Sequence, residues 1–229
     1  MKVQIWSDVM CPFCYIGKKN FEAALEQFPF KEEIQIEWKS YQLDPDLNET
    51  SGSKTVNQYL AERKRIPIAQ IEQMQQRIKE MGQQAGIDFY MDKAVVSNTF
   101  LAHKLIHFAA KFNKAAQAEE LLFKSYFTDG KNVADIQTLV NIAEELDLNT
   151  DQAQYVLTSD SFDYEVKQDI LEARNIGVSG VPFFLLNDKY TLSGAQPVDL
   201  FVEALVQTYN ETNADKSTEG NSCTIDGCE

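Results

Sequence analysis

The 229-residue chain is short of positive charge, with 21 Lys and Arg against 35 Asp and Glu and a net charge of −14. A field of that sign repels phosphates, which argues against nucleic acid or an anionic membrane as partner. No run of about 18 apolar residues occurs, so no transmembrane helix is expected. The opening MKVQIWSDVMCPFC has no long apolar segment of the kind that signal peptides carry. These absences lead us to expect a cytoplasmic protein, and structural disulfides are rare in that compartment. There are only four cysteines, Cys11, Cys14, Cys223 and Cys228, and they fall into two close pairs. In a reducing compartment such pairs suggest redox chemistry or metal binding rather than stapling. The chain contains no internal repeat and no low-complexity tract.

The first 45 residues read as βαβ. Val3 to Asp8 alternates at strand spacing. From Cys14 the apolar residues Phe21, Ala24, Leu25 and Phe28 recur at helical intervals. Pro12 suits the first turn of that helix and Pro29 its end. Ile34 to Leu43 is a second strand, with Ile34, Ile36 and Trp38 on one face, and Asp44-Pro45-Asp46 closes it. The connection implies two parallel strands joined by a right-handed crossover.

Residues 46–175 are helical in character. Apolar stripes at steps of three and four, such as Ile68, Ile71, Met74, Ile78 and Met81, predict six or seven helices with their stripes in the core. After Gly177, Phe183–Leu186 and Tyr190–Leu192 flank the turn residues Asn187-Asp188-Lys189 and form a hairpin. Pro197 opens a last helix buried through Leu200, Phe201, Leu205 and Val206. The chain thus divides into a discontinuous α/β domain, 1–45 plus 176–212, an inserted helical domain, 46–175, and a polar tail, 213–229, expected to be mobile and carrying Cys223 and Cys228.

The chemistry-bearing motif is Cys11-Pro12-Phe13-Cys14, placed after a strand and at the start of a helix. Unpaired backbone N–H groups and a partial positive charge at that end stabilise a thiolate. Cys11, at the very start, is the expected nucleophile, and Cys14, one turn in, the resolving thiol. Pro12 and Phe13 bring neither an extra donor nor a charge, so they set how far the thiolate is favoured. Zinc held by both cysteine pairs is the alternative. A second signal is Val181-Pro182 in a Gly-rich turn before an apolar strand, a pattern that on its own is most often only a turn.

Together, S-D-V-x-C-P-F-C-Y, Val181-Pro182, Asn98-Thr99 with His103, and Ser193-Gly194-Ala195-Gln196 resemble the DsbA-like oxidoreductases over about residues 1–210. The closer match is the FrnE-type branch, related to 2-hydroxychromene-2-carboxylate isomerases. The resemblance implies an α/β, thioredoxin-like fold with a large all-helical insertion. It also implies a cis Val181-Pro182 bond beside the Cys11 sulfur, where the Val181 backbone pairs with an extended substrate. The implied activity is thiol–disulfide exchange with protein or low-molecular-weight thiols. No cofactor is needed beyond the redox-active disulfide, with glutathione as a candidate co-substrate. The related isomerases and kappa-class transferases usually have Ser at the position of Cys11, so the dithiol favours redox chemistry. A glutathione-dependent isomerase or transferase, and a metal-binding or chaperone-like module, remain the alternatives. Trp6, Asn98, Thr99 and His103 are candidates for the cleft between the lobes; Asn98 and Thr99 equally suit the start of a helix. Cys223 and Cys228 are candidates for an auxiliary dithiol that swings to Cys11 and exchanges with it.

Overall fold

A computed structural model describes residues 1–47 and 54–219. Its four-stranded sheet has the order β2-β1-β3-β4, built from β1 (Lys2–Ser7), β2 (Gln35–Ser40), β3 (Phe183–Leu186) and β4 (Tyr190–Ser193). β1 pairs parallel with β2, Val3 opposite Ile36 and Ile5 opposite Trp38. It pairs antiparallel with β3, which in turn forms the expected hairpin with β4. β1 is therefore central and covered on both faces, so Gln4 and Trp6 are buried as fully as Val3 and Ile5. β2 is an edge strand, and only Trp38 of its expected apolar face is buried; Ile36 is 37% exposed.

Helix α1 (Pro12–Gln27) crosses from β1 to β2. The inserted region supplies α2 (Val56–Lys64), α3 (Ile68–Gln84), α4 (Phe100–Ala110), α5 (Ala115–Phe127), α6 (Ile136–Glu145), α7 (Thr150–Thr158) and α8 (Asp163–Asn175). These are the seven helices of the insertion among the described residues. The α3 stripe is not wholly core: Ile71 and Ile78 are buried, whereas Ile68, Met74 and Met81 are exposed. A single helix layer at the edge of the insertion presents only one narrow stripe to its neighbours.

Helix α9 (Val198–Glu219) returns alongside α1. The ring pairs Phe21–Phe201 and Phe28–Tyr209 advance together, so the two helices run parallel. α9 also continues past residue 212, where the sequence pattern ends the domain. Its later turns are tied down: Glu211 accepts from Tyr190 and Lys189, and Asn187 donates to Thr212 Oγ1 at 3.0 Å. Cys223 and Cys228 lie outside the described residues.

Two polar clusters fasten the insertion to the α/β unit, one to α1 and one to the sheet. On one side the buried Lys18 of α1 reaches Glu120 of α5 at 2.7 Å, joined by Lys19 and the Tyr15 hydroxyl. On the other, Asp169 of α8 accepts from Ser40 N at 2.9 Å and meets Lys39 Nζ at 3.1 Å and His107 Nε2 at 3.0 Å. His107 is thus a latch between α4, α8 and β2. Burial works to push the Asp169 carboxyl up; the His107 contact, the Ser40 N–H and Lys39 outweigh it and hold the group below the usual carboxylate range. A depressed carboxyl stabilises the fold above its unfolded pKa and ceases to as pH falls through the folded value. We expect Asp169→Asn to cost about 1–3 kcal/mol at pH 7, with the gap to the parent shrinking below about pH 4. Urea midpoints followed from pH 7 downward measure both, and a gap that shows no decrease at all below about pH 4 would contradict the ionic role.

Candidate active site at the start of the first helix

The β1–α1 turn is set by Asp8. Its carbonyl accepts from Cys11 N at 2.9 Å, and its buried carboxylate accepts from Leu43 N at 2.7 Å and Met10 N at 3.4 Å. This pins the loops after β1 and β2 to each other. Cys11 is the N-cap of α1, with extended backbone, and Pro12 takes the first helical position. Cys14 N bonds back to Cys11 O at 3.0 Å, so the two thiols share one helical turn. Both are free, and both are buried, Cys11 4% and Cys14 1% exposed. Burial, then the neighbouring Cys11 thiol, pushes the Cys14 thiol well above the ordinary cysteine range.

Opposite them stands the turn before β3. The Val181-Pro182 bond is cis, as the resemblance implies. The Cys11 thiol donates to Val181 O at 3.5 Å. Gly194 N donates to Pro182 O at 2.8 Å, which anchors the turn to the Ser193-Gly194-Ala195-Gln196 segment. Gly17, one turn beyond Cys14, lets Pro182 pack against α1: a Cβ there would lie 2.8 Å from Pro182 Cγ. Glycine at this position is a requirement of close approach.

A cavity of about 320 Å³ opens beside Cys11. Met10, Pro12, Phe13, Gly180 and Val181 line its redox side, and residues of α2, α3 and α5 with Leu43, Met91 and Ala94 of the connecting segments line the rest. Phe13 therefore forms part of the wall rather than only a spacer between the cysteines. Among the described residues no group of three or more His, Cys, Asp or Glu is arranged to hold a metal ion.

The other candidates from the sequence are elsewhere. Trp6 is fully buried behind β1 and donates to Asp169 O at 3.1 Å, so it serves packing and not the cleft. His103 does not face the cleft; it is buried on α4, its Nε2 3.6 Å from Asp8 Oδ1 and without a hydrogen-bond partner. Thr99 is the buried N-cap of α4, with no side-chain cap bond. Asn98 Oδ1 accepts from Phe100 N, and its amide donates to Leu47 O at 3.0 Å, bracing the loop after β2. None of these four lines the cavity. Residues that sequence reasoning left unassigned matter more. Asp8 stands inside the quoted S-D-V motif, which was its only signal. Gln75 and Met91 line the cavity with no local pattern to mark them.

Comparison with known proteins agrees with this fold. The chain is 28% identical to a protein described as a probable DsbA oxidoreductase from Streptomyces coelicolor, with a TM-score of 0.86, covering 100% of this chain and 94% of that one. It is similar in fold to the cytosolic disulfide reductase DsbM from Pseudomonas aeruginosa, at 14% identity and a TM-score of 0.64, covering 90% and 98% of the two chains. An uncharacterized Bacillus subtilis protein, YwbO, is 25% identical over 209 residues, 89% of this chain and 94% of its own length. Among the described residues no helix is long and apolar enough to cross a membrane. The DsbA-like thioredoxin domain model matches residues 2–206, and the chain belongs to that family.

Proposed function

We propose that the protein is a cytoplasmic thiol–disulfide oxidoreductase in which Cys11 attacks and Cys14 resolves. The observation that carries this reading is the Cys11 thiol at a helix N-cap, 3.5 Å from the carbonyl of Val181, with a second thiol one turn inward. The Cys11 thiolate attacks one sulfur of a substrate disulfide. A bond forms between Cys11 and that sulfur, the substrate S–S bond breaks, and the other half leaves as a thiolate and takes up a proton. Cys14 then loses its proton and attacks the Cys11 sulfur. The Cys11–Cys14 disulfide forms, and the second substrate thiolate leaves. The substrate has gained the two electrons that the protein has lost; oxidation of a dithiol is the same path reversed.

The surroundings of Cys14 order these steps. Besides burial, the Cys11 thiol raises Cys14 both by hydrogen bonding and by charge. Once Cys11 is a mixed disulfide that charge is gone, so Cys14 becomes more acidic when it is needed. Val181, beside the cis proline, offers its backbone groups to the substrate half held at Cys11.

The test is a redox titration in glutathione buffers, with alkylation and mass mapping of each cysteine. We expect one reversible Cys11–Cys14 disulfide. A potential near about −120 mV identifies an oxidant and one near about −270 mV a reductant. If Cys11 only captures glutathione and never pairs with Cys14, the proposal fails.

A further inference from the structure

The cavity beside Cys11 has a polar feature that the exchange chemistry does not use. Its walls include Val56, Leu60, Met74, Ile78, Met91 and Phe127, and among the described residues no acidic residue lines it. Among the lining residues, Gln75 Nε2 is the buried side-chain polar atom with no hydrogen-bond partner. A buried amide N–H₂ without an acceptor is costly, and it is retained readily only where something else supplies the acceptor. Two cations border the cavity. Arg63 is committed to Asp44 and to Leu43 O, both at 2.6 Å, and Lys64 is exposed. The Tyr59 hydroxyl is likewise committed, donating to Asp44 at 2.6 Å. An anion held among the apolar walls would lose its hydration, with Arg63 already paired to Asp44 and Lys64 exposed to solvent. The volume, about 320 Å³, lies at the small end of the roughly 300–1,000 Å³ typical of ligand pockets.

We propose that this cavity is the substrate subsite of Cys11 and takes a small, uncharged disulfide whose apolar, aryl-sized group ends in a hydrogen-bond acceptor received by Gln75 Nε2. This rests on the exchange chemistry proposed above. The half of the substrate that becomes bonded to Cys11 occupies the cavity, and the other half leaves toward solvent as the thiolate. The flexible side chains of Met74 and Met91 let the walls adapt to ring shape.

The experiment uses the full chain with Cys14→Ser, Cys223→Ser and Cys228→Ser, so that Cys11 alone reacts and keeps its first adduct. Adduct formation is timed with 4,4′-dithiodipyridine, diphenyl disulfide and glutathione disulfide. The pyridyl ring carries an acceptor opposite its sulfur; the phenyl ring does not. We expect Gln75→Leu to slow the pyridyl reaction about tenfold, a loss of about 1.4 kcal/mol of binding, and to change the other two less than twofold. Ala94→Leu, which fills the cavity, should slow both aryl reagents relative to glutathione disulfide. Gln75→Leu should also raise the melting temperature of the reduced protein, because the unpartnered amide is gone. Equal effects of Gln75→Leu on all three reagents, or none, would overturn the subsite while leaving the exchange chemistry intact. A cystine peptide that outpaces both aryl reagents at Cys11 would overturn the small-molecule class. Failure of Cys11 to form any adduct would instead overturn the oxidoreductase reading itself.

Discussion

Replacing Cys14 by serine is expected to halt turnover at a stable mixed disulfide on Cys11. The first step needs only the Cys11 thiolate, its helix start and access through the cavity, and the variant keeps all three. The second step needs a thiol one helical turn away, already held by the bond from Cys14 N to Cys11 O. Effective molarities for well-oriented intramolecular groups reach about 10⁵ M and above. A millimolar thiol in solution is a poor replacement, so the rate with a disulfide substrate should fall by at least about 10³. Intact-mass measurement should show one substrate half per chain. The same variant tests the competing chemistry. A glutathione-dependent isomerase or transferase needs one activating thiol, and its activity would survive Cys14→Ser.

The second large effect concerns Glu119 on α5, a carboxyl 1% exposed whose Oε2 has no hydrogen-bond partner. Burial, reinforced by the nearby Asp8 charge, pushes it up from 4.5 to about 8, with Lys18 working against the rise. The folded protein therefore binds one proton more than the unfolded chain between those pH values. Stability falls as pH climbs through that window, because the unfolded state can ionise the group and the folded state cannot do so cheaply. The slope approaches about 1.4 kcal/mol per pH unit, and the accumulated cost above pH 8 is on the order of 5 kcal/mol. Glu119→Gln keeps the shape and removes the proton. It should match the parent at pH 4–5 and exceed it by a growing margin toward pH 9. Urea unfolding across that range decides it; parallel curves for the two proteins would show that Glu119 is not ionising at such cost.

Much of this architecture can be read from residue order. Period-two alternation, a C-P-F-C helix start and a later apolar hairpin specify β1, α1, β3 and β4 to within a residue or two, because each is a local pattern tied to one backbone geometry. Sidedness is less legible. Ile36 and Trp38 alternate identically in sequence, yet only Trp38 is buried, because β2 is an edge strand covered along part of its length. Trp6 reads as a cleft residue because of its place near the cysteines; its strand is central, and its ring lies behind the sheet. His103 and Asn98 carry polar groups that look functional, and the fold uses the first as a buried neighbour of Asp8 and the second as a loop brace. The cavity is the least legible part. Its walls come from segments separated by more than a hundred residues, and no local periodicity marks Gln75 as facing Cys11's side of α3.

The parallel course of α1 and α9 has a kinetic consequence. Cys11 stands at one end of α1, and Phe28, 17 residues on, is about 25 Å away along the axis. Tyr209 packs against Phe28, and the ten residues from there to Glu219 carry the chain about 15 Å farther in the same direction. Local opening that begins at this end of α9 is therefore about 40 Å from Cys11, and the Cys11–Cys14 step keeps its own rate whether those last turns are formed or frayed.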